Sequence, residues 1–391
     1  MKDIASKIAL LAVSLVASCL LGEGLVRAVS DPPWQQPISP VFTEHDPLLG
    51  WKKIPRMTGT RVTSEYTTSE TTNSRGIRGP EYSYDKRPGD YRILVLGDSF
   101  AEGYSVEFDD LVSEVLKRRL NERHRGRDHE VVNLGTRGYS TDQEMLAFET
   151  KGARYAPDLT VLLFHDNDVL DNTAGAFKPV FRLDGDGGLV LTNVPVPVPT
   201  PRTDPPPARF RDDPGRAIRS WLYTRSSLYR LVRDQIMGLP VPTQFMVYRK
   251  QHPPEVDAAW KVTEALLVRL NADVSARGGK LLVFYVPIRA SVYPDEWEQM
   301  KKRYRMSSGE WDIEQVRLDL LAVCRRRHLD CLDPVEDFKA EVKRRRPNGS
   351  RLYFKIDGHW TADGHHFAGE MLARYIGERY VSERGDKRTE R

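Results

Sequence analysis

The feature that most constrains the fold is a set of short, almost wholly apolar runs spaced between helical stretches. Arg92 to Leu96 reads RILVL, Glu130 to Asn133 reads EVVN, Leu159 to Phe164 reads LTVLLF and Lys280 to Val286 reads KLLVFYV. A strand with one wet face alternates apolar and polar residues, whereas a strand covered on both faces is apolar throughout. Parallel neighbours cannot be joined by a tight turn, so such runs separated by helices imply a parallel sheet with right-handed crossovers. A fifth short strand is expected around Leu329 to Leu332. Helices are expected around Asp110 to Glu122, after a capping box at Thr141-Asp142-Gln143-Glu144, and over Val256 to Ala276. Ser307-Ser308-Gly309-Glu310 is expected to open another that buries Ile313, Val316, Leu320 and Cys324, and Thr361 to cap the last. The class is therefore α/β.

The residues at the carboxyl end of each run matter for function, because open parallel sheets place ligands beyond the carboxyl ends of their strands. The first run leads into Gly97-Asp98-Ser99-Phe100. The second continues as VVNLGTRG to Gly138, the third as HDNDV through Asn167, and Asp357-Gly358-His359-Trp360 lies near the chain's end. A serine hydroxyl is a weak nucleophile at neutral pH and needs a histidine base oriented by a carboxylate. Ser99, His359 and Asp357 supply those three types, while a Gly138 N–H and the Asn167 amide suit an oxyanion hole. Asp98 reads as a structural acceptor of backbone hydrogen bonds. His165 is expected on the opposite face of its strand end, and His365 and His366 as packing or surface residues of the last helix.

These four blocks, in this order, resemble the SGNH (GDSL-type) hydrolase superfamily over roughly residues 90 to 170 and 256 to 380. The resemblance implies a three-layer α/β/α, flavodoxin-like fold without metal or cofactor. It implies Ser99 as nucleophile, Asp357 and His359 as the rest of a triad, and an oxyanion hole from Ser99, Gly138 and Asn167. Two departures stand out. Asp166 replaces the glycine that often precedes the asparagine, so its carboxylate either opposes charge in the oxyanion hole or points away from it. The acid and base are spaced Asp-x-His instead of Asp-x-x-His. The Asp-x-His-Trp block is similar to that of periplasmic SGNH-like enzymes that move acetyl groups on and off bacterial polysaccharides, such as the alginate O-acetyltransferases. The implied activity is serine ester hydrolysis of acyl groups, O-acetyl above all, on cell-envelope glycans. Two alternatives stand beside it: acetyl transfer to a polysaccharide by the same residues, and a non-catalytic envelope glycan-binding protein, which only Asp166 favours.

The remaining features set location and organisation. Lys2 and Lys7 precede an apolar run from Ile8 to Leu21 that resumes at Leu25 and Val26, so residues 1–29 read as an exporting segment. Three forms fit: an uncleaved signal-anchor, a lipoprotein acylated on Cys19, and a cleaved signal peptide. All three put the body outside the cytoplasmic membrane, with the amino end retained inside for the anchor. Residues 30–40 (SDPPWQQPISP) read as a Pro-rich tether, 41–88 as a β-rich lead-in, and 89–385 as the hydrolase domain, interrupted by an insertion over 170–254. The insertion is expected to hold a hairpin over Phe181 to Leu191 and then a proline-rich surface loop, VPVPVPTPRTDPPP. It leaves the chain just after Asn167, where it can wall the site. The net charge is +4 with 29% of residues charged, and the basic runs Arg325–Arg327 and Lys343–Arg346 lack interleaved aromatics. They read as solvated faces, not as nucleic-acid contacts. Cys324 and Cys331 fit either a disulfide or two thiols, and the sequence leaves the oligomeric state open.

Overall fold

The computed structural model describes residues 2–30, 41–199, 214–237, 239–345 and 349–381. Beyond its first residue the expected tether lies outside them, as do residues 200–207 of the proline-rich loop. A helix, α1 (Lys2–Ser30), opens the chain, followed by hairpins β1 (Thr43–Asp46) with β2 (Gly50–Lys53) and β3 (Thr58–Val62) with β4 (Thr67–Thr71). The core runs β5 (Tyr91–Gly97), α2 (Ser99–Glu102), α3 (Val112–Arg123), β6 (His129–Asn133), α4 (Thr141–Thr150), β7 (Leu159–Phe164) and α5 (Asp168–Asp171). The insertion holds the hairpin β8 (Val180–Leu183) and β9 (Leu189–Thr192), then α6 (Pro214–Arg225) and α7 (Ser227–Met237). The core resumes with α8 (Pro254–Ala276), β10 (Lys280–Tyr285), α9 (Arg289–Val292), α10 (Pro294–Tyr304), α11 (Gln315–Arg327), β11 (Asp330–Leu332), α12 (Val335–Arg345) and α13 (Ala362–Ile376).

By its contacts the chain divides into two compact units. The larger comprises Ile38–Val198, Pro242–Met300 and Ser307–Arg391. At its centre five parallel strands lie in the order β6-β5-β7-β10-β11. Taken in chain order these are strands 2-1-3-4-5, the flavodoxin-like arrangement, in which the chain leaves the first strand to one side and then returns to the other. The reversal opens a crevice at the carboxyl ends of β5 and β7. Ile93, Val95, Val131, Val161 and Leu282 pack on one face with Leu116 of α3 and Leu372 and Ile376 of α13. The alternate residues, such as Leu94 and Leu162, point to the other face by the strand's two-residue period, where α4 and α8 pack together. This is the three-layer α/β/α fold expected from the sequence.

Two helix starts differ from expectation. The N-cap of α4 is Ser140, not Thr141, and its side chain makes no capping bond. Thr141 instead donates to Asp168 Oδ2 at 3.3 Å, and Glu144 is buried, so the expected capping box does not form. Helix α11 begins at Gln315, because residues before it turn on Ser307 O and Trp311 bridges to Arg249, a tertiary pairing that overrides the local signal. Cys324 of α11 is disulfide-bonded to Cys331 of β11. Arg325–Arg327 end α11 and Lys343–Arg345 end α12; Arg326 and Arg327 pair with Glu264 of α8, and Arg344 and Arg345 with Glu341 of their own helix.

The smaller unit comprises Met1–Pro37, Pro199–Val241 and Lys301–Met306. Within α1, Ser6–Val29 spans 24 residues and holds a window of mean hydropathy 2.1, long and apolar enough to cross a bilayer. Glu23 of α1 caps α7, accepting from the N–H groups of Ser227 and Leu228 at 2.9 Å each and from Ser226 Oγ at 2.7 Å. Helices α6 and α7 were not expected from the sequence, where neighbouring prolines obscured them.

Candidate active site

The turn after β5 fixes the serine. Gly97 has φ +153°, and a Cβ there would sit 2.7 Å from Ala101 and 3.0 Å from Leu163, so the strand can turn this tightly only with hydrogen at that position. Asp98 then caps α2, its carboxylate accepting from Phe100 N at 2.8 Å, the structural role read for it. Ser99 thereby becomes the first residue of α2, half-exposed at the carboxyl edge of the sheet.

The structure brings the three distant residues together. Ser99 Oγ lies 2.8 Å from His359 Nε2, and His359 Nδ1 lies 2.6 Å from Asp357 Oδ1. The short Asp-x-His spacing is explained by Gly358, whose φ of +86° folds the carboxylate back onto the imidazole two residues away. The backbone N–H of His359 also reaches Asp357 Oδ1 at 3.3 Å. Burial raises the Asp357 pKa, but hydrogen bonds from His359 and Tyr66 and the charge of His359 outweigh it and pull it down to about 2.

The other oxygen of Asp357 is held by residues that no sequence motif marks. Tyr66 donates to Asp357 Oδ2 at 2.9 Å and the Tyr104 hydroxyl lies 3.3 Å from it. Glu65 accepts the backbone N–H groups of Lys355, Ile356 and Asp357 at 2.7, 2.9 and 2.7 Å. Glu65 and Tyr66 lie in the β3–β4 hairpin, so the lead-in clamps the loop that carries Asp357 and His359. It also braces the Gly138 loop. Trp51 of β2 donates to Arg137 O at 3.1 Å, Tyr139 donates to Trp51 O at 2.6 Å, and Arg137 N donates to Glu102 Oε2 of α2 at 2.5 Å. Gly138 itself is exposed on this loop. For Trp51, Glu65 and Tyr66 the sole sequence signal is the dense Thr, Tyr and Gly pattern of 41–84, which shows a β-rich segment with some packing partner.

Phe100 forms the floor. Its ring lies 4.7 Å from that of His359, 4.8 Å from His165 and 5.0 Å from Trp360. His165 is therefore on the site side of its strand end, correcting the expectation that it faces away. The turn into α5 rotates it there, where its Nδ1 bonds Asn167 Oδ1 and sits 3.9 Å from Asp98 Oδ2. Asn167 precedes α5, half-exposed at the end of β7. Asp166 points the other way, into the interior, where the hydroxyls of Tyr248 and Tyr285 each donate to it at 2.8 Å. Of the two readings of Asp166, the structure thus supports the one in which its carboxylate stays out of the site.

Behind the site, His365 is buried and accepts from Val112 N at 3.2 Å; burial, then the charge of Arg78, lowers its pKa to about 3, so it stays neutral. His366 pairs with Asp110 at 2.7 Å on the surface of α13. Burial, then the neighbouring Asp98 and Asp142, pushes the Glu144 carboxyl well above the usual range. Among the described residues no cluster of three His, Cys, Asp or Glu side chains is arranged to hold a metal ion.

Residues 245–390 match the family described as "ALGX: SGNH hydrolase-like domain, acetyltransferase AlgX". The matched segment contains Asp357 and His359 but not Ser99, Gly138 or Asn167. No curated protein matches the sequence. Similar solved structures include the lipase/acylhydrolase from Enterococcus faecalis, 12% identical, covering 74% of this chain and 96% of that one at a TM-score of 0.38. Others are TesA, at 14% identity, 73% and 96% coverage and a TM-score of 0.36, and the acetyl xylan esterase AlAXEase, at 11%, 73% and 99%, and 0.39.

Proposed function

We propose that this chain is an esterase or acyltransferase of the SGNH hydrolase-like family and works through Ser99 as a nucleophile activated by His359 and Asp357. The observation that carries the reading is the unbroken chain Ser99 Oγ to His359 Nε2 at 2.8 Å and His359 Nδ1 to Asp357 Oδ1 at 2.6 Å. His359 takes the Ser99 proton as the hydroxyl attacks an ester carbonyl, and Asp357 stabilises the imidazolium that forms. The backbone N–H groups of Ser99 and Gly138 and the Asn167 amide hold the tetrahedral oxyanion. His359 returns the proton to the leaving alcohol, and an acyl-Ser99 remains. A water or a sugar hydroxyl, deprotonated by His359, then releases the acyl group.

The substrate class is an acyl ester, O-acetyl first, on a cell-envelope glycan. The body works outside the cytoplasmic membrane, tethered through α1, with 89–385 as the hydrolase domain, 41–88 as its lead-in and 170–254 as an insertion within it. Hydrolysis is the primary reading. Transfer of acetyl to a polysaccharide is the second, favoured by the match to a family described as an acetyltransferase. The glycan-binding reading loses its one support, because Asp166 is turned into the interior. Incubation with p-nitrophenyl acetate, with and without an oligosaccharide acceptor, tests the reading. Release without acceptor marks an esterase, acyl-oligosaccharide marks a transferase, and no turnover under either condition overturns both.

A further inference from the structure

A second concave site lies behind the Gly138 loop, away from Ser99 and His359. It is a cavity of about 340 Å³ walled by β2, the turn at 75–78, the segment 133–136 and the end of α4. Its lining carries Lys52, Lys53, Arg75, Arg78, Lys151 and Arg154 against a single acid, Asp46.

The cations differ in how they are balanced. Lys53 is buried and neutralised, 2.6 Å from Glu70 and 3.3 Å from Glu102. Lys52 lies 3.6 Å from Asp46, which also accepts the N–H groups of Leu48 and Leu49. Arg78 is buried on four carbonyl oxygens, with Glu70, Glu102 and Glu107 in its surroundings. Arg75, Lys151 and Arg154 are different: among the described residues none of the three forms an ion pair with a carboxylate. Lys151 Nζ donates to the carbonyl of Arg75 at 2.6 Å, and both guanidiniums lie against one ring, Arg75 at 4.3 Å and Arg154 at 4.0 Å from the centre of Tyr84. Arg75 also donates to the carbonyl of Tyr82 and feels the Glu81 carboxylate at longer range, so three like charges are held around one cavity mainly by carbonyl and aromatic contacts. Burial, then Lys53, Arg75 and Lys52, lowers the Lys151 pKa to about 8, with no acid acting in the other direction.

We propose that this cavity binds an oxyanion, the phosphate or carboxylate of a small molecule, on Arg75, Lys151 and Arg154. An oxyanion there relieves the mutual repulsion of the three cations and accepts charge-assisted hydrogen bonds from two planar forks and an ammonium. The cavity's volume admits more than a bare ion, and Leu49, Ile77 and Tyr84 offer apolar wall to the rest of the molecule.

The test uses the full-length chain in detergent, with inorganic phosphate and sodium glucuronate as probes and sodium chloride at equal ionic strength as the reference. The melting midpoint and titration calorimetry are read for the wild type, Arg154→Gln and Lys151→Met. Arg154 is exposed, so its variant keeps the fold, and neither residue touches Ser99 or His359, so p-nitrophenyl acetate turnover stays at the wild-type rate. At least one probe is expected to raise the midpoint above the chloride reference, with affinity falling about tenfold or more in each variant. Phosphate alone assigns a phosphate site and glucuronate alone a carboxylate site. If neither probe exceeds chloride, or if both variants respond like the wild type, the proposal is overturned.

Discussion

Replacing Glu65 with alanine removes the acceptor of three backbone N–H groups, those of Lys355, Ile356 and Asp357. Each is a charge-assisted bond worth about 1.5–3 kcal/mol in a sheltered setting. Glu65 is half-exposed and water replaces part of that, so the expected loss of stability is about 1–3 kcal/mol in all. The kinetic effect is larger in proportion. The freed loop carries Asp357 and His359, and a shift of about 1 Å between base and nucleophile costs on the order of 100-fold in rate. Glu65→Ala is therefore expected to lower kcat by about 10- to 100-fold with little change in KM. Glu65→Gln keeps one carbonyl acceptor and should fall between. Steady-state kinetics on p-nitrophenyl acetate beside a thermal melt separate the two effects. A folded Glu65→Ala protein with wild-type kcat would refute the clamp.

Asn167→Ala should lower kcat by roughly 100- to 1000-fold with a smaller effect on KM, as loss of one oxyanion donor does; a change confined to KM makes it a binding residue instead. Asp166→Gly leaves the Tyr248 and Tyr285 hydroxyls without their acceptor, so its melt should show a loss of about 2–5 kcal/mol. An unchanged midpoint would mean that the buried hydroxyls find other partners. Asp357 has a folded pKa of about 2, below its unfolded value, so its contribution is full above about pH 4 and is lost as pH falls toward 2. Discounted for partial exposure, that contribution is on the order of 1–2 kcal/mol, and Asp357→Asn should flatten the acid limb of the stability curve by that amount. Equal acid limbs in the two proteins would contradict the ionised, hydrogen-bonded state of the carboxylate.

The core is legible in the sequence because β5, β7 and β10 are almost wholly apolar, as strands covered on both faces are. Ser99 and the Asp357–His359 pair are local features: a glycine-enabled turn after a strand, and a two-residue bridge around Gly358. The clamp is not legible, because Tyr66 meets Asp357 across 291 positions of sequence and nothing in its own neighbourhood marks that partner. Tertiary context likewise overrides the Thr141 capping box, whose glutamate is drawn into the core, and the early start of α11. Helix α12 leaves only a faint signal although Val335, Phe338 and Val342 are its buried residues, since three apolar side chains among eight others make a thin stripe. His165 departs from expectation because the strand's alternation does not extend past Phe164, where the chain has already begun to turn.

The central claim, that Ser99 is a nucleophile activated by His359, is tested most directly by peptide mass spectrometry after treatment with a fluorophosphonate. The phosphonyl adduct is expected on the peptide containing Ser99 in the wild type and should be nearly absent in His359→Ala. An adduct on a different residue, or equal labelling of Ser99 without His359, would contradict it.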